Sequence, residues 1–395
     1  MVEQNLFRAR WRPRSRDRVR ARARARFLVF HLAIVDLQSD ISAQPSCWAT
    51  VAPMRGWFGP FRLERQVGRG GLGAVFRALD TRTGVTVALK MLPPGTDPAA
   101  TRRLQREFGA LRNLHHPNIV RVLDAGEEDA IPWLSMEFVD GLALREWLTV
   151  AAEQPLEPGP ESDAPEGVDL DVLFAEPDSG ALLAAARARR LTLETSVDAL
   201  LSEEEQVEQN QPLRLAALCE ALAQVCDGLA FIHARGLLHR DIKPSNVLVT
   251  PGHRAILVDF GLAKRFADDR ITDHGRVVGT YRFMSPEQAR GEELDRRSDL
   301  YALGTTLYEL IAGRPAFAQV NQLELLEAIV GNEPPALQRI NPGAPPALCT
   351  LTERLLAKSP DDRPATAVEL ARELVAVRRG LLHLPPHEIV EISAR

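Results

Sequence analysis

The chain has 395 residues, 45% hydrophobic and 26% charged, which suits one sizeable globular body with extensions and argues against several small domains. Net charge is only −5, yet residues 1–26 hold ten Arg against Glu3 and Asp17 and residues 149–212 hold fifteen Asp and Glu against three Arg, so the charge sits in appendages around a near-neutral remainder. Cys219 and Cys226, two of four cysteines, are seven apart on an expected helix and so roughly 10 Å apart, too far to bridge; a reduced, cytoplasmic setting is expected, and with no run of 18 apolar residues, no membrane span.

Residues 1–55 read as a basic, disordered N-terminal extension. Arg alternates with small residues from Arg20 to Arg26, and a short apolar run, Phe27 to Val35, follows. That order faintly resembles a signal peptide, but His31 and Asp36 interrupt it. A nucleic-acid or anionic-surface arm is a second functional reading, and the expectation is against nucleic acid as a partner.

From Phe61 a strand pattern runs into Val67-Gly68-Arg69-Gly70-Gly71-Leu72-Gly73-Ala74-Val75. Dinucleotide-binding folds share this glycine spacing, but there the third glycine opens a helix. Here Ala74 to Ala78 continues as a strand. The expected unit is a β-hairpin whose bare backbone lets N–H groups approach phosphates. Val85 to Lys90 alternates as another strand and ends on a lysine 22 residues after Gly68. A helix is expected next, with Asp97 as N-cap and Pro98 at its first position. Leu104, Phe108 and Leu111 form its apolar stripe, and Glu107 beside them is a carboxylate in need of a partner. His115 and His116 suggest a metal site, but no further His or Cys lies near, so a turn is expected. After a hairpin near 126–132, a strand from Leu134 to Val139 reaches Asp140 and Gly141.

Residues 149–212 are Pro-rich and acidic, with a weak helical stretch around 181–191. The composition predicts poor order, and a long surface insertion costs little closure entropy; a regulatory flap and a tolerated insertion both stay open. Order returns with the helical stripe Leu215, Leu218, Leu222, Val225, Leu229 and Ile232, closed by Gly236. Next comes Leu238-His239-Arg240-Asp241-Ile242-Lys243-Pro244-Ser245-Asn246, which sets an acid, a cation and a carboxamide within six positions. Asp259-Phe260-Gly261 starts thirteen residues after Asn246, beyond a β-type run. The segment from Arg297 through Ile311 is apolar on nearly all sides and must be buried. Further helices are expected near 322–330, 345–357 and 366–379, with a short tail at 381–395.

These two loops in this order resemble the catalytic and metal-binding loops of protein kinases. Lys243, together with Gly279 to Glu287, is similar to the bacterial eukaryotic-like serine/threonine kinases. The likeness covers about residues 60–380, interrupted by the insertion. It implies an α+β, two-lobed protein kinase fold: a small β-rich N-lobe with one key helix and the hinge at 61–140, and a larger, mainly helical C-lobe at 141–380. It also implies transfer of the ATP γ-phosphate to Ser/Thr hydroxyls of protein substrates in signal transduction, with Mg²⁺, or Mn²⁺ in its place.

By this resemblance Asp241 would orient the acceptor hydroxyl and take its proton, Lys243 would steady the γ-phosphate, and Asn246 and Asp259 would hold metal. Lys90 would meet the α- and β-phosphates and pair with Glu107. The nucleotide would lie against Val67, Gly68, Arg69, Gly70, Gly71, Leu72, Gly73, Val75, Ala88 and Leu248, with Met136 behind it and the backbone of Glu137 and Val139 on the adenine edge. Thr280 would contact Asp241 and Lys243, Asp299 would hold the catalytic-loop backbone, and Arg363 would pair with Glu287. Arg240 beside Asp241 implies control by phosphorylation of the activation loop. Between Gly261 and Gly279 the only hydroxyl side chain is Thr272, so Thr272 is the expected regulatory site, modified in trans within a homodimer. Two departures stand out: Leu72 replaces an aromatic at the glycine-loop tip, and Ser285 replaces Ala before Pro286, a change expected to matter little. A catalytically weak pseudokinase scaffold and a small-molecule kinase of related fold are the alternatives; the first usually lacks one of Lys90, Asp241, Asn246 and Asp259, all present here.

Overall fold

Alternating buried and open positions build the N-terminal half of the computed structural model, which describes residues 56–70, 73–92, 108–109, 111–151, 203–260, 278–319 and 321–383. The Arg-rich extension, the start of the helix expected after Asp97, the middle of the acidic insertion and the tail lie outside them. Strands β1 (Trp57–Phe58), β2 (Phe61–Gly70), β3 (Gly73–Asp80), β4 (Val85–Met91), β5 (Val122–Glu128) and β6 (Ile131–Glu137) form an antiparallel sheet in the order β1-β2-β3-β4-β6-β5. On β4 the buried residues are Val87, Leu89 and Met91, the period of two that a strand with one covered face requires. The β5–β6 turn uses Asp129 and Ala130, both at positive φ (49° and 59°), a two-residue connection that fits the strands' twist without glycine. Arg82 ties the sheet's far end together: it pairs with Asp80 at 2.8 Å and Asp124 at 3.0 Å and lies over the Phe61 and Trp133 rings.

The C-terminal half begins with β7 (Leu142–Ala143), which runs directly into α1 (Leu144–Ala151). After α2 (Glu203–Gln209) and α3 (Pro212–His233), β8 (Val247–Val249) and β9 (Ala255–Leu257) pair with β7 as a small sheet, β7-β8-β9. Then follow α4 (Pro286–Arg290), α5 (Arg296–Ala312), α6 (Gln322–Gly331), α7 (Leu337–Ile340), α8 (Pro346–Leu355) and α9 (Ala367–Leu382). Helix α3 carries the expected stripe, but Ala216, Ala217, Cys219, Ala221 and Cys226 are buried as well, so nearly every side of it is covered. At 22 residues it is long and apolar enough to cross a membrane, and among the described residues no other helix is. Here it is the axis of the core: α9 lies along it, with Arg378 and Glu220 paired at 3.1 Å. Helix α5 is buried on almost all sides, as its composition requires, between an Asp295 N-cap and Gly313 at φ 68°.

Some boundaries differ from the sequence reading. The α3 helix ends at His233, and Gly236 (φ 71°) completes the turn beyond it, its N–H donating to the His233 carbonyl at 3.0 Å. Both expected ends of the insertion fall inside ordered helix: residue 149 lies within α1, and 203–212 include all of α2. The returning chain is pinned because Asn210 and Asn341 exchange side-chain bonds at 2.6 and 2.9 Å, and the buried Arg214 donates to the carbonyls of Gln209 and Leu310. Two short elements, β1 and α7, have too few residues to show a period.

Candidate active site

The loop from His239 to Asn246 is held from below by α5. Asp299, fully buried there, accepts from the His239 N–H at 2.9 Å, the Arg240 N–H at 2.8 Å and His233 Nε2 at 2.8 Å. Burial opposes its charge, but the bonds from His233 and the loop outweigh that and hold the carboxyl below the usual aspartate range. With its N–H fixed, Arg240 takes a left-handed conformation at φ 67°. The buried His239 ring lies 4.9 Å from Phe260, and burial pushes its pKa down.

Within the loop the Asp241 Oδ2 accepts from Lys243 Nζ and from Asn246 Nδ2, each at 3.0 Å, and Asn246 Nδ2 also donates to the Asp241 carbonyl at 2.7 Å. The Val258 N–H donates to the Asn246 carbonyl at 2.8 Å, which aligns the start of the next loop with this one. There Asp259, at φ 62°, pairs with Lys90 from β4 across 169 positions of sequence. Lys90 was expected to meet Glu107, which lies outside the described residues; among the described residues the carboxylate that reaches Lys90 is Asp259.

The glycine stretch is a hairpin. Gly68 pairs with Val75, Arg69 with Ala74 and Gly70 with Gly73, while Gly71 and Leu72 lie outside the described residues. Gly73 has φ 131°, and a Cβ there would collide with the Met91 carbonyl, so no other residue fits. Val67 is exposed, and Ala88 is half-buried, in register with the buried Met136. The Glu137 N–H is already taken by the Arg121 carbonyl at 2.9 Å. Val139 packs against the core, and Leu248 sits half-buried in β8. Thr280 falls in a tight 3₁₀ turn, Val278–Phe283; Thr272 lies outside the described residues.

The segment after that turn is anchored by a buried ion pair. Arg363 Nη1 and Nη2 donate to the Glu287 carboxylate at 2.7 and 2.9 Å. Its three remaining N–H groups donate to the carbonyls of Ala357, Arg297 and Lys358 at 2.8, 3.0 and 3.1 Å, so all five donors are used. Ser298 donates to Glu287 at 2.6 Å. Burial opposes the charge on Glu287, and the bonds from Arg363 and Ser298 hold its pKa below the ordinary value.

Ser285 is not the neutral replacement it was expected to be. It is the N-cap of α4: its Oγ accepts from the Gln288 N–H at 3.3 Å, and the Ser285 N–H donates to Gln288 Oε1 at 2.9 Å. Ala cannot accept that bond. The Ser-x-x-Gln spacing announced this capping box. His233 was also overlooked; as the last residue of an apolar helix it gave no sign of reaching Asp299. The paired histidines form the expected turn, with His116 Nδ1 accepting from the Asn118 N–H at 3.2 Å. No group of three metal-ligating side chains occurs among the described residues.

A strand hairpin of glycines over a loop joining Asp241, Lys243 and Asn246, with Lys90 and Asp259 facing each other between the two halves, defines a protein kinase domain. The family model for protein tyrosine and serine/threonine kinases matches residues 61–374, and the chain belongs to that family. Within that family it is similar to bacterial serine/threonine protein kinases. It is 32% identical over 341 residues to serine/threonine-protein kinase PknD of Mycobacterium tuberculosis, covering 86% of this chain and 42% of that protein. It is 30% identical over 328 residues to PknB of Mycolicibacterium smegmatis, covering 81% and 43%. The chain therefore spans less than half the length of these relatives. Among solved structures the PknI kinase domain of Mycobacterium tuberculosis superposes with a TM-score of 0.52 at 25% identity, covering 82% of this chain and 98% of that one.

Proposed function

We propose that this chain transfers the γ-phosphate of ATP to Ser and Thr hydroxyls of proteins in bacterial cytoplasmic signalling, and that phosphorylation of Thr272 by a second copy switches it on. The observation that carries this reading is the Asp241 carboxylate held at 3.0 Å by both Lys243 and Asn246, beside the Lys90–Asp259 pair. Protein kinases need little covalent chemistry from the enzyme; they need positioning and charge neutralisation. Asp241 takes the proton of the acceptor hydroxyl as its oxygen bonds to phosphorus and the bond to the β-phosphate oxygen breaks. Lys243 and Lys90 neutralise phosphate charge.

The donor set fits a hard divalent cation. Asn246 commits its Nδ2 to Asp241, which leaves Oδ1 as the ligand, and Asp259 supplies a carboxylate about one-third exposed. Mg²⁺, with Mn²⁺ as a substitute, would neutralise the phosphates when bound there. The glycine hairpin and the strand edge at Glu137 to Val139 supply backbone for phosphates and adenine; at Glu137 only the carbonyl is left to offer.

The test is phosphate incorporation by the purified chain with Mg-ATP, compared with Asp241→Asn. Label on Thr272 in the intact protein and none in the variant is expected, as is label on an Asp241→Asn copy mixed with the active chain. No label anywhere despite ATP binding would move the reading to a scaffold. Unchanged activity in Thr272→Ala would end the proposed switch.

A further inference from the structure

Arg240 has a strained peptide. A side-chain-bearing residue at φ 67° persists only where its surroundings fix it. Its N–H is fixed by Asp299 at 2.8 Å. Its carbonyl, which begins the peptide bond to Asp241, is met from the opposite side by Gln288 Nε2 at 3.5 Å. The same carboxamide accepts from the Ser285 N–H at 2.9 Å through Oε1, and the Gln288 N–H is bound by Ser285 Oγ. One planar group therefore touches the N-cap of α4 with its oxygen and the strained loop with its nitrogen. The helix it caps contains Glu287, which Arg363 holds in the C-lobe, and it follows directly on the turn that ends at Phe283.

We infer that Gln288 is a positioning residue for phosphoryl transfer, its carboxamide registering the peptide-positioning segment 279–287 against the loop that carries Asp241. This rests on the reading of Asp241 given above. Ser285 contributes by fixing the carboxamide's orientation, because only with Oε1 on the Ser285 N–H does Nε2 face Arg240. The geometry separates this role from capping. Glu at position 288 keeps the acceptor for the Ser285 N–H and is a normal capping-box residue, but it has no donor for the Arg240 carbonyl and sets a carboxylate against it.

The discriminating variant is thus Gln288→Glu, with Gln288→Ala as the variant that loses both contacts. For Gln288→Glu the expectation is a Tm within about 2 °C of wild type, a KM for ATP within about twofold, and kcat lower by about tenfold, the scale of one hydrogen bond replaced by a repulsion. Gln288→Ala should lose kcat similarly and also lose Tm. Hydrogen exchange gives a readout without turnover: amides of 239–243 should exchange faster in Gln288→Glu while those of α5 stay unchanged. Wild-type kcat together with wild-type exchange in Gln288→Glu would overturn the inference, as would a kcat loss that merely tracks a fall in Tm. An inactive wild-type chain would count against the proposed function instead, and the exchange comparison would still decide whether Gln288 holds the loop.

Discussion

Removing Arg363 tests how the peptide-positioning segment is held. In the folded chain the guanidinium is fully buried and the Glu287 side chain is 5% exposed. Arg363→Ala leaves that carboxylate with Ser298 and its own backbone N–H, with no counter-charge, and strips a partner from the carbonyls of Ala357, Arg297 and Lys358. Breaking a buried pair from one side costs about 3–5 kcal/mol, because a charge is left behind in a poor solvent. For a body of this size that corresponds to a fall in Tm of roughly 8 °C. Glu287→Gln breaks the same pair from the other side, leaving the buried guanidinium without its counter-charge and an amide NH2 facing Nη2, so it should cost about as much, eased only by the three carbonyl bonds it keeps. Thermal unfolding by calorimetry near neutral pH, repeated in about 1 M NaCl, would measure both. The loss should persist in salt, which screens exposed pairs far better than buried ones. A fall below about 2 °C for Arg363→Ala, or one that vanishes in salt, would refute the reasoning.

Acid should unfold the chain partly through Glu287. Its folded pKa lies below the ordinary 4.5, so its stabilisation is complete above that value and is lost as pH falls through the lower folded one; the Tm–pH curve of Glu287→Gln should be flatter there. Lys358 behaves oppositely. Burial pushes its amine down to about 8, so the unfolded chain binds more protons between about 8 and 10.5, and stability from this group rises with pH across that window. Lys358→Met should remove that rise. Gly73→Ala should weaken nucleotide binding about tenfold or more in a titration with a fluorescent ATP analogue, because a Cβ meets the Met91 carbonyl and φ 131° excludes Ala; unchanged affinity would mean the hairpin tip re-forms elsewhere.

What the sequence made legible was what depends on local pattern. Period-two burial marked β4, the all-apolar segment marked α5, and continued strand after Gly73 separated a hairpin from a dinucleotide turn. The catalytic-loop contacts among Asp241, Lys243 and Asn246 are also local, spanning five positions. What it hid depends on distance. Nothing in the sequence joins Lys90 to Asp259, Arg214 to Leu310, or Asn210 to Asn341, since each pair meets only once the C-terminal half has closed. The insertion's ends were misjudged because acidic, Pro-rich composition outweighed a short helix that gains its stability from those distant contacts. Ser285 was different: its signal was in the sequence as Ser-x-x-Gln, and a reading by substitution from Ala concealed it.

Helix α3 finishes about 130 residues before α9 begins. On a ribosome adding about 5–20 residues per second, that gap lasts on the order of ten seconds. For all of it the long apolar helix α3 has been made and the helix that covers its flank has not. A nascent chain in that interval carries an apolar flank that nothing later in the sequence has yet covered. The early synthesis of this kinase domain therefore leaves one flank of α3 open, and the arrival of Leu370 and Leu374 on α9 closes it.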